Sequence, residues 1–356
     1  MTDARIASAR MRGPHTRRSA GPDSTRRGLR PVVPAVPHSD LDRAVDLLAT
    51  ASSVVLLAHV NPDADALGSA LALGLGLRRR GVQVWVSFGE PRAVPESLRE
   101  LPGQHLVVAA ADLPPQPDLL VTLDVGSTDR LGSTAALLST ARTSLVVDHH
   151  ASNTRFGQHH LIDTDAEATV VLVTRLLDGL GIGIDRDIAA NLYAGLATDT
   201  VAFRFASASA HLLAARLLDA GVCPAELMRP ITDTHPFGWL GMLSTVLGRA
   251  ELDRAAAHGA GLVHLAIESR DWAHLRQEEL DPVIDILRTS KEAAVAAVAK
   301  QTAPGEWQVS LRSRDGIDVA AVAGSLGGGG HPRAAGFTHH GEPAAAFAAI
   351  TEILDR

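Results

Sequence analysis

Ser53-Val-Val-Leu-Leu-Ala-His59-Val-Asn-Pro-Asp63-Ala-Asp65-Ala-Leu-Gly-Ser69 is followed by Ala70-Leu-Ala-Leu-Gly-Leu-Gly-Leu77. The β-branched apolar run, the polar turn with Pro62 and the longer apolar segment predict a strand, a loop and a helix. Within seven residues the loop holds an imidazole, His59, and two carboxylates, Asp63 and Asp65. A ligand set rich in oxygen, with some imidazole and no thiolate, suits hard divalent cations. The same residues also suit a plain turn in which Asn61-Pro62-Asp63 initiates and Asp63 or Asp65 caps the helix.

Two further strands end in the same manner. Leu119-Leu-Val-Thr-Leu runs into Asp124, and Thr143-Ser-Leu-Val-Val runs into Asp148-His149-His150. Helical segments separate them, with one expected at about 129–140, and Val82-Gln-Val-Trp-Val-Ser87 supplies another strand. Strands alternating with helices predict βαβ units and an α/β fold with a mainly parallel sheet flanked by helices. In such sheets ligands bind beyond the carboxyl ends of the strands, so His59, Asp124 and the 148–150 triplet are expected to converge. A helix expected to begin near Asp165 or Ala166 precedes another over 187–197, which carries Asp199 at its end. An acid there opposes the helix dipole, which hints at another use.

Composition narrows the class. A chain of 356 residues with 46% hydrophobic and 21% charged residues suits a two-domain globular protein. The lone cysteine, Cys223, excludes an internal disulfide and a cysteine-based zinc site, and fits a reducing compartment, the cytoplasm. No apolar run reaches the length of a membrane span. Residues 1–38 carry eight Arg and two Asp, a net of +6 within a total of −7, so the remainder carries −13. The Arg-rich stretch reads as a disordered tail, and the acidic body argues against a large nonspecific nucleic-acid surface.

Pro224, Pro230 and Pro236 break a helical connector, after which a second αβ unit begins near 260. It contains the strand ending at Arg312 and the run Gly327-Gly328-Gly329-Gly330-His331-Pro-Arg333-Ala-Ala-Gly336. The run suits either a flexible hairpin or a loop whose backbone N–H groups, with His331 and Arg333, meet an anion.

Seven candidate ligands result: His59, Asp63, Asp65, Asp124, Asp148, His149 and Asp199. Two divalent ions about 3.5–4 Å apart need roughly this many donors, and such pairs clamp phosphoryl groups and activate water. His150 is placed to meet a phosphate oxygen or protonate a leaving group. No nucleophile elbow, Walker loop or strand-linked dinucleotide fingerprint is present.

Asp148-His149-His150, taken with His59-x-Asn-Pro-Asp63-x-Asp65, Asp124 and Asp199, resembles the DHH phosphoesterase superfamily. Gly327-Gly-Gly-Gly-His331-Pro-Arg333 looks like the signature of its DHHA1 subfamily. The resemblance implies a DHH catalytic domain over 39–225, a helical linker over 226–256 and a smaller α/β DHHA1 substrate-binding domain over 257–356. It implies two Mn²⁺, with Mg²⁺ or Co²⁺ as substitutes. His59, Asp63 and Asp124 would hold one ion. Asp65, Asp124, His149 and Asp199 would hold the other, with Asp124 bridging. Asp148 would orient a ligand histidine, and His150 would contact the scissile phosphate. Asn153, Arg312, Gly328, Gly329, Gly330, His331 and Arg333 would bind substrate. Size and layout resemble the NrnA-type branch, which cleaves very short oligoribonucleotides and 3′-phosphoadenosine 5′-phosphate. A homodimer through the DHH domain is implied as well. Alternatives are a cyclic diadenylate phosphodiesterase, a pyrophosphate or polyphosphate hydrolase, or a silent nucleotide-binding regulator.

Overall fold

The computed structural model describes residues 38–356 apart from Asp315. The Arg-rich tail expected over 1–38 lies outside the described residues, save that His38 opens the first helix. The first half runs α1 (His38–Thr50), β1 (Ser53–Leu57), α2 (Ala64–Arg79), β2 (Gln83–Ser87), β3 (Leu119–Leu123), α3 (Leu137–Thr140), β4 (Thr143–Asp148), β5 (His159–Ile162), α4 (Thr169–Gly179) and α5 (Arg186–Asp199). Its five strands form one parallel sheet in the order β2-β1-β3-β4-β5. In this order the chain reverses direction across the sheet between β1 and β3, and ligands lie at such a switch point. His59 follows β1 and Asp124 follows β3.

The three inner strands are largely apolar because the sheet is covered on both faces. Leu56, Leu71, Leu73, Val147 and Leu176 belong to the larger core, under the helices. Val55, Leu57, Leu120 and Leu131 form a smaller one on the opposite side. Each fully buried Leu contributes roughly 1.5–3 kcal/mol relative to an exposed one.

The second half runs α6 (Ala208–Asp219), α7 (Pro224–Thr232), α8 (Gly238–Leu247), β6 (Glu251–Asp253), β7 (Leu262–Ile267), α9 (Val283–Leu287), β8 (Val295–Ala303), β9 (Glu306–Ser313), α10 (Val319–Ser325), β10 (Gly329–His331), β11 (Ala334–His340) and α11 (Pro343–Leu354). The chain changes cores between Ile231, which packs on the first, and Trp239, which packs on the second body. The second sheet, β10-β11-β9-β8-β7-β6, is mixed, with only β7 and β8 parallel. One face packs on α10 and α11, the other on α8 and α9.

Several expectations are corrected. α2 begins at Ala64, so Asp65 lies in its first turn rather than in a loop. The helix expected from 165 begins at Thr169, and the unforeseen edge strand β5 precedes it. The polar histidines of His159-His-Leu-Ile162 hide the strand signal, because an edge strand is only half buried. The span 129–140 folds as a 3₁₀ segment followed by the short α3. The connector expected over 226–256 ends in β6, which joins the second sheet. The glycine run forms the hairpin β10–β11, one of the two readings that its sequence suits.

Candidate functional site

Asp63 caps the helix with one oxygen and faces an imidazole with the other. Its Oδ1 accepts the N–H groups of Asp65 and Ala66 at 3.1 and 2.9 Å, capping α2. Its Oδ2 lies 3.5 Å from His59 Nε2. His59 Nδ1 donates to its neighbour's carbonyl, Val60 O, at 2.8 Å, which leaves Nε2 facing the carboxylates.

Asp124 stands at the centre. Its φ of 62° turns the chain off the end of β3, a left-handed conformation that Asp tolerates better than most residues. Oδ2 lies 3.5 Å from His59 Nε2 and Oδ1 lies 3.4 Å from His149 Nε2. His149 Nδ1 donates to the Ala166 carbonyl at 3.1 Å, so this ring too presents Nε2 inward. Asp199, from the last turn of α5, places Oδ2 3.3 Å from the same nitrogen. Asp65 is fully buried, with Oδ2 4.0 Å from it. Both Asp65 oxygens also accept from the start of α4, from Thr169 N at 2.6 Å and Val170 N at 2.9 Å. Gly195 permits this approach, since a Cβ there would stand 2.8 Å from Asp65 Oδ1.

The donor atoms of His59, Asp63 and Asp124 lie within 4.8 Å of one another, as do those of Asp65, His149 and Asp199. Four carboxylates share this space with two imidazoles. Burial and the Arg130 guanidinium both disfavour charge on His59, yet Asp63 and Asp124 lift it to about 9. Burial pushes Asp199 up to about 6 against the pull of His149. Burial, with Asp199 and Asp124, holds Asp65 well above the usual carboxylate range. Burial likewise pushes Asp124 up, but the hydrogen bonds of His149 and His59 prevail and keep it well below that range. A site this short of positive charge, with two imidazole Nε2 atoms aimed inward and no thiolate, fits divalent cations.

Beside the cluster, Asp148 Oδ1 accepts from His150 Nδ1 at 2.8 Å and from His149 N at 2.9 Å. His331, from the second body, stacks on His150 with ring centroids 4.6 Å apart and an interplanar angle of 26°. Burial and the charges of His149 and His150 push His331 down to about 4, so it is neutral.

Two family signatures match the chain. The DHH family, N-terminal domain, matches residues 53–196, and the DHHA1 domain matches residues 266–356. The bifunctional oligoribonuclease and PAP phosphatase NrnA of Thermus thermophilus is 32% identical over 298 residues, 83% of this chain and 86% of that protein. The chain belongs to the DHH family. It is a DHH phosphoesterase, a hydrolase, with a C-terminal DHHA1 domain. A probable enzyme of the same name from Streptococcus mutans is 25% identical over 80% of this chain and 88% of its own. The fold matches that of an exopolyphosphatase-related protein from Bacteroides fragilis, with a TM-score of 0.77 at 20% identity, covering 91% of this chain and 98% of that one.

The DHH phosphoesterase brings His59, Asp63, Asp65, Asp124, His149 and Asp199 into one cluster and sets Asp148, His150 and His331 against it. Asp148 accepts from His150 Nδ1 and from the His149 N–H, and the Ala166 carbonyl accepts from His149 Nδ1. Asn153 is hydrogen-bonded within the protein. Its Nδ2 donates to Asp148 Oδ2 and to Val125 O, and its Oδ1 accepts from Arg155 N. Gly328 and Gly330 are demanded by β11, where a Cβ would meet Gly336 O at 2.1 Å and Ala334 O at 2.5 Å respectively. Gly329 instead faces Ser152, whose Oγ accepts from Gly330 N at 3.2 Å. Arg312 and Arg333 lie in a side cavity with Phe205 and Arg288.

Sequence reasoning missed Thr169, Ser152 and Arg130. Thr169 Oγ1 donates to Asp124 Oδ1 at 2.9 Å. A helix placed from 165 puts Thr169 in its interior and conceals that it stands at the N-terminus. Arg130 Nη2 lies 3.1 Å from His59 Nδ1, and only the packing of the segment after β3 against the opening turn brings it there.

Proposed function

We propose that this chain is a Mn²⁺-dependent phosphoesterase that hydrolyses very short oligoribonucleotides to mononucleotides and 3′-phosphoadenosine 5′-phosphate to AMP, using two cations and an activated water. The observation that carries this reading is Asp124, one oxygen toward the His59–Asp63 group and the other toward the His149–Asp199 group. A carboxylate so placed suits a bridge between two ions. His59 and Asp63 would complete one set, and Asp65, His149 and Asp199 the other. Bound divalent cations supply Lewis-acid polarisation of the phosphoryl group and a lowered pKa for water.

The remaining work falls to the protein. Asp148 holds His150 through Nδ1, leaving Nε2 to address the substrate. Burial disfavours the imidazolium of His150, but its hydrogen bond to Asp148 prevails and raises its pKa, so it can donate a proton to a leaving oxygen. His331 closes the opposite side with a neutral ring whose buried Nε2 has no hydrogen-bond partner among the described residues. The relatives named as oligoribonuclease and PAP phosphatase support the choice of substrates.

The test is a substrate panel with Mn²⁺: pApA, RNA of two to five nucleotides and 3′-phosphoadenosine 5′-phosphate. Release of mononucleotide or phosphate that is lost in Asp124→Ala supports the reading. Turnover of inorganic pyrophosphate in preference to every nucleotide overturns it.

A further inference from the structure

The stretch Ala166-Glu-Ala-Thr169-Val170 joins β5 to α4 and lies outside the candidate ligands, yet it touches three of them. The Ala166 carbonyl accepts from His149 Nδ1 at 3.1 Å. The N–H groups of Thr169 and Val170 donate to the two oxygens of Asp65 at 2.6 and 2.9 Å. The Thr169 hydroxyl donates to Asp124 Oδ1 at 2.9 Å. His149, Asp65 and Asp124 come from separate elements, the end of β4, the first turn of α2 and the end of β3. The stretch is itself tied down: Ala166 N donates to the Asp163 carbonyl at 3.2 Å, and Glu167 Oε1 accepts from Ser207 N at 3.1 Å.

Of these contacts, that of the Thr169 hydroxyl bears most on what the cluster can do. Rotation of a carboxylate about its Cβ–Cγ bond is soft, so its partners decide where the two oxygens point. Asp124 has His59 Nε2 at 3.5 Å from Oδ2 and His149 Nε2 at 3.4 Å from Oδ1. Both nitrogens are the donors that cations would take, and a nitrogen bound to a cation no longer holds the carboxylate. Among the described residues, the Thr169 hydroxyl is the hydrogen bond to the Asp124 carboxylate that comes from outside the candidate ligands. Thr169 is fully buried, so its hydroxyl is shut off from solvent. In a helix, a threonine hydroxyl is drawn to the carbonyl three or four residues back. Thr169 opens α4, and the carbonyl three residues back, that of Ala166, already accepts from His149. The hydroxyl is therefore left to Asp124.

Resting on the two-cation function proposed above, we propose that Thr169 is a positioning residue that keeps Asp124 shared between the two cation sites. Its hydroxyl fixes Oδ1 toward His149 while Oδ2 serves His59 and Asp63. Without that hydroxyl, Oδ1 is a buried acceptor short of a donor, and the carboxylate is free to turn both oxygens toward one side of the cluster. The effect is one-sided. The stretch 166–170 holds Asp65, Asp124 and His149. Among the described residues it makes no hydrogen bond to His59 or Asp63, which are held by Val60 O and by the start of α2 instead. The site built on His149 therefore depends on Thr169, and the site built on His59 does not.

The test reads cation uptake by the full chain rather than turnover. Metal-free protein is titrated with Mn²⁺ by calorimetry, and electron paramagnetic resonance is recorded on the loaded chain, where a carboxylate-bridged Mn²⁺ pair gives an exchange-coupled signal that separate ions lack. Wild type is expected to take two ions and show the coupled signal. Thr169→Val keeps the shape and removes the hydroxyl. It is expected to bind the first ion as wild type does, to bind the second about 10- to 100-fold more weakly and to lose the coupling. Thr169→Ser, which keeps a hydroxyl, is expected to restore both. Two ions at wild-type affinity with full coupling in Thr169→Val overturn the role, as does equal weakening of both ions. A Thr169→Ser chain as weak as Thr169→Val overturns it too, since the methyl group and not the hydroxyl would then matter. If Thr169→Val does not fold, Thr169→Ala is set against Thr169→Ser, and equal second-ion affinity in the two overturns the role. A wild-type chain that takes up fewer than two ions overturns the two-cation function itself, and this role with it.

Discussion

His150 Nδ1 donates to Asp148 Oδ1 at 2.8 Å, and Asp148 is fully buried beneath it. The carboxylate is further fixed by Asn153 Nδ2 and the His149 N–H, so the His150 ring has one orientation. Asp148→Asn keeps the shape and removes the charge that holds this geometry. It is expected to lower kcat by about 10- to 100-fold. Cation content, measured by mass spectrometry, is expected to stay at the wild-type level. A variant that lost its cations along with its activity would place Asp148 in the ion-binding set instead.

Asp63 does two jobs that different substitutions separate. Asn is as good an N-cap as Asp, so Asp63→Asn is expected to melt near wild type while losing affinity for one cation ahead of the other. Asp63→Ala loses the same cation and also about 1 kcal/mol of stability with the cap. Thermal melts paired with cation titrations check this, and equal melting of the two variants would remove the capping role.

Gly195 lets α5 close on Asp65. In Gly195→Ala the new Cβ would stand 2.8 Å from Asp65 Oδ1 and 2.7 Å from Val170 Cγ1. Overpacking of this kind costs about 1–3 kcal/mol. The variant is expected to melt lower and bind cations more weakly although no candidate ligand is changed. Wild-type cation affinity in this variant would mean that Asp65 is not among the ligands.

The metal-free chain has a signed pH dependence. His59 is raised from 6.5 to about 9 in the folded protein, so its contribution to stability is fully present below pH 6.5 and is lost as pH rises through about 9. Cation uptake runs the other way. A bound cation needs the neutral imidazole, and Asp199, raised to about 6, must be ionised as well. Affinity is therefore expected to climb between about pH 6 and pH 9, with net proton release at pH 7. Calorimetry in buffers of different ionisation enthalpy reads that release directly.

Glu278 holds the DHHA1 side against the DHH side. It accepts from Glu96 N at 3.1 Å, Ser97 N at 3.3 Å and Ser97 Oγ at 2.6 Å, and Arg276 pairs with Glu96 at 2.7 Å alongside. Hydrogen bonds to a charged group contribute about 1.5–3 kcal/mol each. Glu278→Ala is expected to raise KM by about tenfold with a smaller change in kcat, because the DHHA1 arginines are then less firmly placed. Steady-state kinetics check it, and an unchanged KM would show that this contact does not govern substrate binding.

The sequence alone determined what a local pattern can carry. The apolar strands ending in His59, Asp124 and Asp148, with Asp199 at the end of its helix, sufficed to assemble the cluster. Parallel strands bring their carboxyl ends to one edge whatever the helices between them do. The glycines beside His331 were equally visible, although their reason was not: Gly328 and Gly330 answer to the packing of β11. What the tertiary structure decided was everything that depends on which long-range neighbour a side chain meets. Asp65 caps a helix 104 residues away, Thr169 reaches Asp124 across 45 residues, and Phe205 slips beneath arginines from the other domain. No periodicity encodes such pairings, since each depends on how two separately specified elements dock. That docking also assigned Asp148 to His150 and closed Asn153 into its own loop, two roles that motif spacing leaves open.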